Sequence, residues 1–480
     1  MTELKLRESQ EEIINDQYGN DLRYVVAGMG SGKTSATLHA LSELHDADVI
    51  DCAVVLAPPL VAATVWPKEP AKWPALRHAV SVRAPSLQDR AQALQWLAEG
   101  GGTPLRVVSL SFHLCKWLKE NADQIPERCA LVIDEGSFFG GPRSKNGAAL
   151  REIAGRFTNR YILSGTPRAG GYEELWGQYT ILAPGIWPAF DDWRRKNFMP
   201  KDYNGYEWEV HDFRARQLDR QVAALTTVID VDLGLPPLSA GPDFDYMIDL
   251  PPDARAAYDE MEEEQITAVA KQLEAMGDVP EEVLVAALTR AVASGKLAQI
   301  AQGYIYSTPE GEDTGRKVAD LHTAKQDMLT DILHGCRGEN LLIWYGYRAD
   351  IELIEKAVGA KNPLPRLGGG VTPSQARKAI EAFGRGELPF LLAHPASAAH
   401  GIDDLKHHCH RMIWFCPTWS AEQYDQALKR LDRPGQTKPV FSHQIAARAT
   451  VDEVKLNRVA YKLDDQAEWR RLVKALRSKI

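Results

Sequence analysis

Residues 22–44 constrain the fold of this chain more than any other stretch. Leu22 to Val26 is a short apolar run suited to a buried strand. A glycine-rich loop follows, Ala27-Gly-Met-Gly-Ser-Gly-Lys-Thr34, and Ser35 to Leu44 continues with helical character. The loop has the spacing [Ala/Gly]-x-x-x-x-Gly-Lys-Thr, with Ala27 where the commoner pattern has its first glycine. Its glycines allow backbone N–H groups to close around phosphates at a helix N-terminus, where orphan donors and the helix dipole favour anions. Ala27, Gly28, Met29, Gly30, Ser31 and Gly32 would form that cradle. Lys33 is placed to reach the β- and γ-phosphates, and the Thr34 hydroxyl to hold magnesium. A strand, loop and helix in this order belong to an open parallel α/β sheet, whose ligands bind at the carboxyl ends of the strands. The ligand implied is a nucleoside triphosphate.

Two further stretches fit that chemistry. Cys129-Ala-Leu-Val-Ile-Asp-Glu-Gly136 is an apolar strand ending in adjacent carboxylates. Asp134 fits the magnesium-side carboxylate, and Glu135 fits the base that orients the attacking water. Near the other end lies Gln426-Ala-Leu-Lys-Arg-Leu-Asp-Arg-Pro-Gly-Gln436. Arg430 and Arg433 are three apart and would share one helix face. Two guanidinium forks aimed at one anion stabilise a γ-phosphoryl transition state, and Gln426 stands on the same segment.

At 480 residues the chain is too long for one core and points to two to four domains. No apolar stretch is long enough for a membrane span, and the charged N-terminus is unlike a signal peptide. The six cysteines show no Cys-x-x-Cys pair, which favours buried free thiols in a reducing compartment. His407-His408-Cys409-His410 invites a zinc assignment. Neighbouring strand residues point to opposite faces, however, so a polar turn before a strand Met412–Cys416 is the better expectation. The formal net charge of −9 argues at first against nucleic acid. Yet residues 243–282 carry thirteen acids against two bases, and residues 405–480 carry fifteen bases against eight acids. Counterion release depends on the local face, so the acidic total does not exclude DNA.

Short apolar runs at Tyr24–Ala27, Ala53–Ala57, Arg106–Leu110, Leu131–Asp134 and Arg160–Ser164 alternate with helical segments, which predicts a first parallel α/β lobe over 1–186. Residues 187–325 predict a helical insertion, with helices at Phe213–Thr226, Asp253–Met276 and Glu281–Ala301 and one strand at Phe244–Leu250. Alternation resumes in a second lobe, 326–450, with strands at Leu341–Tyr345, Phe390–Ala393 and Arg411–Phe415. A basic helical tail, 451–480, follows.

In this order the segments resemble the superfamily 2 helicases and, within them, the Swi/Snf-type DNA translocases, over about Leu6 to Lys462. Leu6-Arg7-x-x-Gln10 is similar to the family's adenine-reading glutamine motif, which assigns Arg7 and Gln10 to the cofactor. Val54-Val-Leu-Ala-Pro-Pro-Leu with Trp66, Glu69 and Trp73, then Val107-Val-Ser-Leu-Ser-Phe-His, resemble its first strand-contact motifs. Leu163-Ser-Gly-Thr-Pro-Arg168 resembles motif III, with Ser164 and Thr166 as coupling hydroxyls. Leu341-Leu-Ile-Trp-Tyr resembles motif IV, and His400-Gly401-Ile-Asp403 the core of motif V, which assigns Gly401 and Asp403 to the cofactor. Residues 426–436 resemble motif VI. Two departures stand out. Ser137 replaces the histidine of the family's Asp-Glu-x-His box, and Ala393–His400 lacks the usual Thr and paired glycines.

The resemblance implies two RecA-like lobes with parallel sheets and a helical insertion, and ATP with Mg2+ as cofactors. It implies ATP-driven translocation on double-stranded DNA by a monomer, with a protein partner for recruitment and no membrane. The setting it implies is the cytoplasm of a prokaryotic or phage-infected cell. A strand-separating DNA or RNA helicase is the enzymatic alternative. An architectural DNA-binding subunit with an idle ATP site is the non-enzymatic one.

Overall fold

The computed structural model describes residues 5–477 except 29–30, 87, 100–101, 103, 169–170, 201–207, 230–243, 275–294, 308–316, 369, 399–404, 406–407 and 433–435. The chain divides into two compact units. The first comprises Met1–Met199, Val210–Gly234 and Asp464–Ile480, and the second Pro200–Glu209 and Leu235–Leu463.

In the first unit a seven-stranded sheet runs in the order Val80–Arg83, Leu105–Ser111, Cys52–Ala57, Cys129–Asp134, Asn159–Ser164, Leu22–Ala27 and Thr226–Ile229. Every pairing is parallel. Sheets of this kind carry helices on both faces, so their central strands read as unbroken apolar runs. Cys52–Ala57 is buried at all six positions. The sequence pattern misses two strands here. Val80–Arg83 is a short edge with only Val80 buried. Thr226–Ile229 was expected to close a helix begun at Phe213, but that helix is Asp212–Ala223 and the chain then joins the sheet beside Leu22–Ala27.

The second unit holds a six-stranded parallel sheet, in the order Phe244–Ile248, Phe441–Ala447, Cys409–Trp414, Asn340–Trp344, Phe390–Ala393 and Arg366–Leu367. Phe441–Ala447 escaped the sequence pattern because Ser442, His443 and Gln444 interrupt its apolar run, though all three are buried. Cys409 and His410 lie on a strand, not in a turn before it, and the described residues hold no cluster of metal ligands.

Described strands of the expected insertion 187–325 join both sheets. Part of it supplies the last strand of the first sheet, and part supplies the edge strand Phe244–Ile248 of the second. The tail is one helix, Val451–Arg477, whose residues from Asp464 belong to the first unit. The expected helix Glu281–Ala301 falls largely outside the described residues, with Gly295–Gln302 observed. No described helix is long and apolar enough to cross a membrane.

The start of the long helix is anchored by charge inside the second unit. Asp452 accepts from Lys325 at 2.5 Å and Lys455 at 3.3 Å, with all three side chains at most 2% exposed. Against its burial, the two ammonium groups hold the Asp452 carboxyl below its usual range. Removing one partner of such a set is costly, because it leaves a buried charge uncompensated.

His443 gives the second unit an acid sensitivity. Burial, and then Arg411, depress its imidazole from 6.5 to about 4. The unfolded chain therefore binds this proton at a higher pH than the folded one, so the contribution is complete above 6.5 and is lost as pH falls toward 4. His443→Gln is expected to flatten the fall in Tm over that window, as measured by calorimetry.

Candidate active site

Parallel pairing brings the loop after Leu22–Ala27, the carboxylates ending Cys129–Asp134 and the loop after Asn159–Ser164 to one edge. Val26 is in register with Ser164, and Asp134 with Leu163. Gly32 caps the helix Lys33–Asp46 in the left-handed region, at φ 81°. This conformation favours glycine, and a Cβ would stand 2.4 Å from Gln10 Nε2 and 2.9 Å from an Arg7 nitrogen.

Gln10 is buried and spends its amide on the loop's surroundings. Its Nε2 donates to Ser35 Oγ at 2.8 Å, and its Oε1 accepts from Arg7 N at 3.1 Å and Arg7 Nε at 3.3 Å. The glutamine thus ties the first helix, Glu8–Tyr18, to the loop. Lys33 Nζ donates to the carbonyls of Ala27 at 2.7 Å and Gly28 at 3.0 Å. The Ser31 hydroxyl is fully buried with no partner among the described residues. An orphaned hydroxyl, a helix N-terminus and a lysine at its mouth fit a polyphosphate. Thr34 and Asp134, both half-buried, supply the hard oxygen donors that magnesium requires.

The two carboxylates are held by different neutral donors. Trp66 Nε1 donates to Asp134 Oδ2 at 2.8 Å. Ser137 Oγ and Ser164 Oγ both donate to Glu135 Oε1, each at 3.0 Å. Ser164 Oγ in turn accepts from Thr166 N at 3.1 Å. Glu135 itself sits at φ 73°, a region costly for a residue with a side chain. Its N–H donates to Leu163 O at 2.8 Å. The next residue must be small, because a Cβ on Gly136 would lie 2.2 Å from Ile162 Cγ2.

Beyond Ser164 the loop is fastened to the long helix within the first unit. Arg168 Nη2 donates to both oxygens of Asp465 at 2.9 Å, and its guanidinium lies 4.1 Å from the Tyr172 ring centre. Arg470 donates to Gly165 O. Trp469 Nε1 and Tyr172 OH each donate to Asp219 at 2.9 Å, and burial raises that carboxyl above its ordinary value.

In the second unit Gln426 and Arg430 are buried on the helix Ala421–Leu431, and Gln426 Nε2 donates to Glu422 Oε1 at 3.1 Å. That helix is described as far as Leu431. Arg433 lies outside the described residues, as do Met29, Gly30, Gly401 and Asp403. The resemblance placed Trp66 in a strand-contact motif, not on a carboxylate, and the sequence assigned no site role to Asp465 or Arg470. Trp66 stands 68 residues from the carboxylate it touches, and no local pattern records such a contact.

Residues 26–236 match the SNF2-related domain family. Protein p41 of Acyrthosiphon pisum secondary endosymbiont phage 1 is 29% identical over 473 residues, covering 94% of this chain and 95% of the phage protein. DNA repair and recombination protein RAD54 of Saccharomyces cerevisiae is 23% identical over 393 residues, 76% of this chain and 42% of that protein. This chain therefore spans nearly all of the phage relative and under half of the yeast one. The SWI2/SNF2 ATPase core of Sulfolobus solfataricus in complex with dsDNA aligns at TM-score 0.41 and 18% identity, covering 98% of this chain and 95% of that one.

Loss of one donor to a carboxylate costs about 1.5–3 kcal/mol. With Ser164 still in place, Ser137→Ala is expected to slow steady-state ATP turnover about tenfold and to leave nucleotide affinity unchanged. Phosphate-release assays with parallel binding titrations check this.

Proposed function

We propose that the SNF2-related domain formed by residues 26–236 powers ATP-dependent movement of this protein along double-stranded DNA. The observation that carries the proposal is the meeting of the Lys33–Thr34 loop, the Asp134–Glu135 pair and Ser164 at one edge of a parallel sheet. RAD54, a DNA repair and recombination protein, supports DNA as the partner. So does the excess of bases over residues 405–480.

The chain's own residues divide the work. Backbone N–H groups of the loop bind the phosphates, and Gln10 and Arg7 lie against the loop beside Gly32, where the adenine edge is proposed to be read. Lys33 would leave the carbonyls of Ala27 and Gly28 to reach the β- and γ-phosphates. Thr34 and Asp134 would hold magnesium, which when bound neutralises charge on the polyphosphate. Glu135, with Oε1 fixed by two hydroxyls, orients and polarises the attacking water. Ser164 and Thr166 connect that carboxylate to the loop that follows. Arg430 and Arg433 are proposed to stabilise the γ-phosphoryl transition state, and Gln426 to support them. Catalysis of this kind is mostly positioning and charge stabilisation.

Lys33→Ala should abolish hydrolysis, while Glu135→Gln should bind ATP and turn over very slowly. Arg430→Ala should lower turnover by about 10³-fold with far less change in affinity. Full activity in Glu135→Gln would overturn the assignment of the base.

Movement without strand separation is tested by substrate choice. ATPase activity is expected to rise more with duplex DNA than with single-stranded DNA or RNA. The protein should displace the third strand of a triplex and leave a forked duplex intact at equal ATP turnover. Efficient unwinding of the fork, with stronger stimulation by single strands, would establish the helicase alternative.

A further inference from the structure

Trp66 lies in the helix Pro59–Lys68 with its side chain fully buried in the core of the first unit. Its only polar atom is a donor, and it is spent on Asp134 Oδ2 at 2.8 Å. Burial alone does not enforce this bond. Trp193, Trp344 and Trp414 are equally buried, and their indole nitrogens have no partner among the described residues. The indole of Trp66 is instead aimed at the half-buried carboxylate ending the central strand Cys129–Asp134.

We propose that Trp66 is a positioning residue for the cation-holding carboxylate of this site, an inference that rests on the assignment of Asp134 to magnesium. By fixing Oδ2, the indole sets the plane in which Asp134 meets a divalent cation. A neutral donor does this without adding positive charge that would compete with the ion. The rigid bicyclic ring, wedged between helix and sheet, keeps the carboxylate's orientation from relaxing toward solvent. Outer partners of metal ligands commonly govern metal affinity by about 10- to 100-fold.

The test uses the full chain and a fluorescent ATP analogue, with binding followed as Mg2+ is titrated. Two variants are compared with wild type: Trp66→Phe, and replacement of the Trp66 indole by benzothiophene, which keeps the shape and exchanges the N–H for sulfur. Thermal melts establish that each is folded, and the benzothiophene form preserves the core if the smaller ring does not. The Mg2+ concentration for half-saturation is expected to rise about tenfold or more in both, with nucleotide affinity in the absence of Mg2+ unchanged. A merely structural tryptophan would lower stability without moving that midpoint. A midpoint unchanged in the benzothiophene form, with wild type responsive to Mg2+ and Asp134→Asn unresponsive, would overturn the role of Trp66 alone. Nucleotide binding by wild type that is indifferent to Mg2+ would overturn the assignment of Asp134 beneath it.

Discussion

Parallel pairing is the constraint on which the rest depends. In a parallel sheet all strands end on the same side, so the residue after each apolar run arrives at a common edge. Here that edge receives a phosphate-type loop, two carboxylates and a hydroxyl from three strands that are neighbours in the sheet, although Glu135 and Ser164 are 29 residues apart and Lys33 is farther still from both. The chemistry follows from the register: a slip of one residue would turn the side chains to the opposite face.

The site also shows neutral donors placed on acidic groups. Asp134 and Glu135 are adjacent, yet they take donors from different elements: an indole on one and two hydroxyls on the other. The second unit solves a different problem. Its buried Asp452 is bracketed by two ammonium groups at the start of a helix. The contrast separates half-buried carboxylates held by neutral donors from a fully buried one paired with two ammonium groups.

What was legible in the sequence was whatever is written locally. The strands of unbroken apolar residues, the glycine loop and the adjacent acids could each be read from a window of ten residues. Thr226–Ile229 and Phe441–Ala447 could not, because their burial is decided by neighbours far along the chain, and the latter carries three polar residues in a buried strand. The candidate site divides in the same way. Lys33, Asp134 and Glu135 stand in motifs. Trp66 on Asp134 and Arg470 on Gly165 are contacts between distant segments with no spacing to betray them. Gln10 is intermediate: its position was readable, but not that its amide binds Ser35 and Arg7.

The first unit includes residues 464–480 as well as 1–199. Arg477 meets Asp16 at 2.5 Å and also donates to Thr227, while Asp465 and Arg470 fasten the loop after Ser164. During synthesis at about 5–20 residues per second, those residues leave the ribosome on the order of tens of seconds after Gly234. For that interval the sheet and its carboxylates can exist while the loop that bears on Glu135 has no fastening. A nascent chain would thus carry the glycine-rich loop and the adjacent carboxylates well before Asp465 and Arg470 can fasten the loop after Ser164.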